Sequence, residues 1–191
     1  MTMPELFILR HGQTEWNAAG RLQGGYDSPL TALGHQQARA QQAILAACDL
    51  EGFQVLSSPL GRALETAKIA LPGQKIHRRH ALREIGIGAW AGALVSDLPQ
   101  DARGNPSADG DLALYRSAPG GEGLGALFTR CQRFLQEIDR PSVLVTHGIT
   151  SRMLRAILLG RGGDDLTDLD GGQGVVFKIK DQVQTKLVFG A

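Results

Sequence analysis

Cysteine is scarce, with Cys48 and Cys131 the only two in 191 residues. They form no C-x-x-C pair, have no metal-ligand spacing and are too few for a disulfide scaffold, so buried thiols in a reducing, cytoplasmic compartment are expected. An excess of either charge is missing too, because 20 Lys+Arg stand against 19 Asp+Glu for a formal net charge of +1. That near-balance removes the global electrostatic reason to expect nucleic acid or an anionic membrane as partner, and any affinity for phosphate must be local. No apolar run approaches the roughly 18–20 residues of a membrane span. Internal repeats and low-complexity tracts are absent. What is left is a length that fits one domain, 1–191, since roughly 100–200 residues build a single core.

Short apolar runs carry the organisation. Glu5–Leu9, Phe53–Ser57 and Ser142–Thr146 read as buried strands, with a weaker one over Lys75–His80. Helical spacing runs from an N-cap at Thr31 to Ala47, from an N-cap at Ser58 with Pro59 at the first position to Leu71, through Gly121–Ile138, and over Thr150–Leu159. Gly174–Lys180 and Gln182–Phe189 alternate as a closing antiparallel hairpin around Asp181. Strands separated by helices predict an α/β layered domain with a largely parallel sheet. Residues 93–118, rich in Asp, Gly, Ser and Pro, read as a lid-like insertion with short helices near Val95–Leu98 and Asp111–Arg116.

Two strands end in His-Gly: Arg10-His11-Gly12 follows the first and His147-Gly148 the one over Ser142–Thr146. In an open α/β sheet, ligands bind beyond the carboxyl ends of the strands. That rule gathers Arg10 and His11, Ser57/Ser58 with Arg62, Glu84, and His147 into one crevice. Two guanidiniums and two imidazoles there call for an anion, and a phosphoryl group offers three oxygens to them. Helix N-termini near Pro59 and Ile149 are expected to add backbone donors. A neutral histidine can attack phosphorus in line and leave as phosphohistidine, with Arg and His supplying the charge that a metal supplies elsewhere, so no metal or other cofactor is expected. The leaving oxygen needs a proton, and Glu84, whose sequence neighbours are apolar, is the candidate acid. Taken singly, each residue is a weak signal: Arg62 reads as a helix surface charge and Glu84 as a solvated loop acid.

Joint placement changes that. Phe7–Asn17 (FILRHGQTEWN), Gly20–Gly24 (GRLQG), Asp27–Thr31 (DSPLT), Ser57–Leu60, Leu82–Gly92 (LREIGIGAWAG), Pro119–Glu122 and Val143–Gly148 resemble, in order, the motifs of the histidine phosphatase superfamily, phosphoglycerate mutase-like branch. The resemblance implies a three-layer α/β/α sandwich with His11 as the phosphorylated nucleophile. Arg10, Arg62 and His147 would form the phosphate pocket, and Glu84 would act as acid and then base. It implies lesser roles at the phosphate or substrate for Asn17, Gln23 and Gly24; Ser58, Gly148 and Arg116, the insertion's best-placed cation, complete the expected binding set. Ala91 and Gly123 depart from the family pattern around the lid. Mutases of the family have longer chains, a larger basic insertion and a Tyr at the position of Ile87, so hydrolysis of small phosphorylated metabolites is favoured over a phosphoglycerate mutase. A non-catalytic phosphate-binding module is the third reading. Oligomeric state is open.

Other signals reduce to structure. Asp168–Gly171 reads as a surface turn, Gly121-x-Gly123-x-Gly125 as a helix start, and His77–His80 first as a solvated cationic face and, as the alternative, as a patch that greets an anionic substrate near Glu84.

Overall fold

Successive strand residues face opposite sides, so a strand apolar at every position demands cover on both. In a computed structural model of the protein, which describes residues 3–99, 112–164, 166 and 168–190, the strands that read this way are β1 (Leu6–Arg10) and β4 (Ser142–Thr146). They are parallel neighbours at the centre of the sheet, in register from Leu6 opposite Ser142 to Arg10 opposite Thr146. β2 (Gln54–Ser57) pairs parallel with β4, and β3 (Ile76–Arg78) with β2. β5 (Val176–Lys180) runs antiparallel to β1 and β6 (Val183–Leu187) antiparallel to β5, giving the order β3-β2-β4-β1-β5-β6. The closing hairpin turns at Asp181 and Gln182, whose φ of 49° and 60° suit the twist of the strands they join.

Helices cover both faces. Phe7, Leu9, Val143 and Val145 pack against α2 (Ala32–Ala46) and α3 (Gly61–Ala70) through Ile44, Leu45, Ala63 and Ala67. Leu6, Ile8 and Leu144 face α5 (Gly123–Gln136) and α6 (Gly148–Leu158), meeting Leu127, Cys131, Phe134, Met153 and Leu154. The result is the expected three-layer α/β/α arrangement, each fully buried Leu or Phe contributing about 1.5–3 kcal/mol. Burial pushes the Cys131 thiol up to about 12, as suits an inert core residue. Short α1 (Glu15–Ala18) follows β1, and α4 (Leu112–Ser117) precedes α5. Among the described residues no helix is long and apolar enough to cross a membrane.

Thr31 caps α2 as expected, its hydroxyl accepting from Gly34 N–H at 3.0 Å. The start of α3 differs. Ser58 is not its cap: the helix begins at Gly61, and Ser58 Oγ accepts from Leu60 N–H, at 3.3 Å, ahead of the helix. The cap comes from Asp27, whose carboxylate accepts from Gly61 N–H and, at 3.2 Å, from Arg62 N–H. No local pattern announces a partner 34 residues upstream. Of the expected insertion, residues 100–111 lie outside the described residues; before them Val95–Asp97 forms a 3-10 turn.

Candidate active site

The carboxyl end of β1 and the segments that follow β2 and β3 open on one cleft. Arg10, His11, Asn17, Gln23, Gly24, Arg62 and Glu84 line it, together with Arg21, Leu22, Ile87 and Tyr115, which the sequence reading did not single out as site residues. The strand-end rule therefore holds for residues scattered over the first half of the chain.

His11 is the most constrained of them. Its Nδ1 lies 2.7 Å from the Gly12 carbonyl, which can only accept, so Nδ1 carries the proton and Nε2 keeps its lone pair. Arg62 Nε–H donates to that lone pair at 3.2 Å. Burial, then the Arg62 and Arg10 guanidiniums, hold His11 well below the ordinary histidine value of 6.5, so the ring is neutral. Gly12 also fixes the loop: a Cβ there would lie 2.3 Å from the Gly34 carbonyl oxygen, so only glycine lets the end of β1 meet the start of α2.

His147 sits across from it, the ring centroids 5.1 Å apart and edge to face. It is fully buried, and burial, Arg62 and His11 likewise push its protonation well below 6.5. Its Nε2 is 2.7 Å from Ser58 Oγ; among the described residues its Nδ1 has no hydrogen-bond partner. Ser58 is thus a support behind His147, not a wall of the cleft. Gly148 follows, and a Cβ there would come within 3.3 Å of Arg10 Cζ, so its bareness lets that guanidinium lie against the start of α6.

Arg62 is held from four sides. Its Nη1 donates to Tyr26 O at 2.6 Å and Asp27 Oδ1 at 3.1 Å, its Nη2 to Gly24 O at 3.0 Å, and its Nε to His11. Gln23 is anchored to Thr14 Oγ1 at 2.8 Å and Asn17 to Thr14 through a reciprocal capping box. Gln173, another residue unmarked in the sequence, reaches both Asn17 Oδ1 and His11 O at 3.4 Å.

Glu84 is where expected, but its surroundings are not. In place of apolar neighbours, its carboxylate meets the N-terminus of α6, accepting from Ile149 N–H at 3.2 Å and Thr150 N–H at 3.0 Å. The backbone donors near Ile149 and those of α3 are therefore already taken by Glu84 and Asp27, and the positive character of the cleft rests on side chains. Arg116 is a second correction. It lies on α4 but does not line the cleft; its Nη2 pairs with Asp164 at 3.2 Å on the surface, while adjacent Tyr115 faces inward. The departures at Ala91 and Gly123 leave Glu122 engaged, its carboxylate accepting from Arg130 at 2.7 and 2.9 Å and from Gly86 N–H at 3.1 Å.

Known proteins resemble this chain in sequence and in fold. A glucosyl-3-phosphoglycerate phosphatase of Mycolicibacterium vanbaalenii is 38% identical over 91% of this chain and 82% of its own. A probable phosphoglycerate mutase GpmB of an Enterobacter species is 36% identical over 83% of this chain and 76% of its own. Among solved structures, a phosphoglycerate mutase from Thermus thermophilus superposes with a TM-score of 0.74 at 36% identity, covering 96% of this chain and 98% of that one. A putative alpha-ribazole-5'-P phosphatase from Escherichia coli K-12 gives 0.76 at 25% identity, covering 98% and 96%. The profile of the histidine phosphatase superfamily (branch 1) matches residues 6–185. Since that span runs from the first residue of β1 into β6 and takes in the whole cleft as described, the chain belongs to branch 1 of the histidine phosphatase superfamily.

Proposed function

We propose that the chain is a phosphatase that hydrolyses small phosphomonoesters through phosphohistidine at His11. One observation carries the residue assignment: with Nδ1–H committed to the Gly12 carbonyl, Nε2 of a buried, neutral ring keeps its lone pair, which accepts from Arg62 Nε–H. In this reading Arg10 and Arg62 bind the phosphoryl oxygens as the substrate enters, Arg62 Nε–H passing from His11 to the anion. Nε2 attacks phosphorus in line while Glu84 gives its proton to the leaving oxygen. Water then attacks the phosphohistidine, Glu84 taking the water's proton. Ser58 O–H donating to His147 Nε2 would leave Nδ1–H of that ring to serve the phosphoryl group, which supports a phosphate role for this buried nitrogen, without a partner among the described residues. Gln23, Asn17 and Gly24 shape the rim.

The chain works as a single domain, with Tyr115 of the 93–118 segment lining the cleft, and acts in the cytoplasm, where its two free thiols stay reduced. The name of the curated Enterobacter relative supports a second reading, transfer of the phosphoryl group within a phosphoglycerate. Against it, Ile87 and Leu22 present apolar wall to the leaving group, and Arg116 is engaged with Asp164.

The test is a panel of phosphomonoesters assayed with and without chelator, beside His11→Ala. Hydrolysis is expected to persist with chelator and to fall at least about 10³-fold in the variant, as for loss of a covalent nucleophile. Undiminished turnover by His11→Ala would sink the mechanism. Faster isomerisation of primed 3-phosphoglycerate than release of inorganic phosphate would favour the mutase.

A further inference from the structure

The hydrogen bonds to Glu84 are unevenly divided between its two oxygens. Among the described residues, Oε1 faces Ile85 N–H at 3.1 Å, Thr150 N–H at 3.0 Å and the Thr150 hydroxyl at 3.0 Å, whereas Oε2 faces Ile149 N–H alone, at 3.2 Å. An ionised carboxylate offers about two acceptor sites per oxygen, so Oε1 is filled by the protein and Oε2 is not. A proton placed on Oε1 would point into donors already aimed at it. From this geometry we infer that Oε2 is the oxygen that gives and takes the proton, and that Thr150 is the positioning residue that keeps Oε1 out of that role. The inference rests on the reading of Glu84 as acid and base.

Thr150 is suited to this task by a second acceptor. Its hydroxyl also lies 2.7 Å from the Arg83 carbonyl, so one hydroxyl proton serves two oxygens. It turns to Oε1 while Glu84 is ionised and to Arg83 when Glu84 holds its proton, without movement of the side chain. In the first step Oε2–H goes to the leaving oxygen as the P–O bond breaks and the Nε2–P bond forms. In the second, Oε2 takes a proton from the attacking water as the Nε2–P electron pair returns to His11. Among the described residues, the charged and titratable groups around Glu84 include Arg62 from α3, Arg130 and Cys131 from α5, and Arg10, His11 and Arg21 on the same cleft. A change at Thr150 replaces none of them.

The experiment compares pH profiles of kcat/KM for the unchanged protein, Thr150→Val and Thr150→Ser on two probes. 2-Glycerophosphate needs its leaving oxygen protonated; p-nitrophenyl phosphate does not. Losing one donor to the ionised carboxylate should move the alkaline limb for 2-glycerophosphate upward by about 0.7 pH unit in Thr150→Val, with Thr150→Ser restoring it. The p-nitrophenyl limb should move far less. An unmoved limb in Thr150→Val, or an equal shift in Thr150→Ser, overturns the proposal. If the valine variant does not fold, Thr150→Ala set against Thr150→Ser makes the same comparison. Full activity of Glu84→Gln on 2-glycerophosphate would overturn the acid-base reading itself, which keeps the two failures apart.

Discussion

Protonating His11 or His147 inside the fold would put an imidazolium beside Arg10 and Arg62 with little water to screen it, and both rings are held neutral for that reason. The consequence for stability has a definite sign. Above the ordinary value of about 6.5, folded and unfolded chains carry the same neutral rings and nothing is gained. Below it, the unfolded chain takes up protons that the native state refuses, so stability falls as pH falls, by up to about 1.4 kcal/mol per pH unit for each histidine. The urea midpoint is expected to drop between pH 7 and pH 5, and more gently in His147→Gln than in the unchanged protein. Parallel slopes would show that the buried ring does not contribute. Carboxylates titrating over the same range add to both slopes and cancel in the comparison.

Helix ends near the cleft were expected to greet the phosphate directly. Each instead receives a carboxylate from elsewhere in the chain: Asp27 at α3 and Glu84 at α6. Asp27 joins two tasks, because the same Oδ1 that accepts from the Arg62 backbone also accepts from its guanidinium at 3.1 Å. Asp27→Ala should therefore cost about 1–2 kcal/mol through the lost cap and lower kcat/KM by about 10–100-fold through a misplaced Arg62. Asp27→Asn, which still caps, should recover most of the stability and less of the activity. Thermal melts and steady-state kinetics on the same preparations check both.

The limits of legibility lie at this level. Arg10, His11, Glu84 and His147 were readable because strand ends converge, a rule that needs only the order of elements. Their partners were not readable, since Asp27, Thr150 and Gln173 are brought in by chain crossings that leave no local pattern. Arg116 was misplaced because a helix as short as Leu112–Ser117 carries too few apolar positions to fix its phase, and one residue of phase exchanges Tyr115 for Arg116 at the cleft. The surroundings of Glu84 differ from its sequence neighbours because α6, 65 residues further along the chain, supplies them.

Both helical layers lean on the same two central strands, β1 and β4, through alternate residues. Damage to either layer should thus be felt throughout. Leu127→Ala on the α5 side and Leu45→Ala on the α2 side are each expected to cost about 2–5 kcal/mol, in one transition that tryptophan fluorescence and far-ultraviolet circular dichroism report alike. Separate transitions would show that the layers unfold independently.

The pairing of β1 with β4 does more than close the core. Adjacent strands stand about 4.7–4.9 Å apart whatever their side chains, and His11 and His147 each follow the registered pair Arg10 and Thr146, their rings 5.1 Å apart. Their separation is therefore a ruler cut by the backbone ladder. Sequence drift in the surrounding core cannot lengthen or shorten it while the ladder holds. The opposite wall, built from Leu22, Ile87 and Tyr115 on segments outside the sheet, has no such constraint. A fold divided in this way can change which alcohol it accepts, one wall residue at a time, with the phosphorus end of the site left at its original gauge.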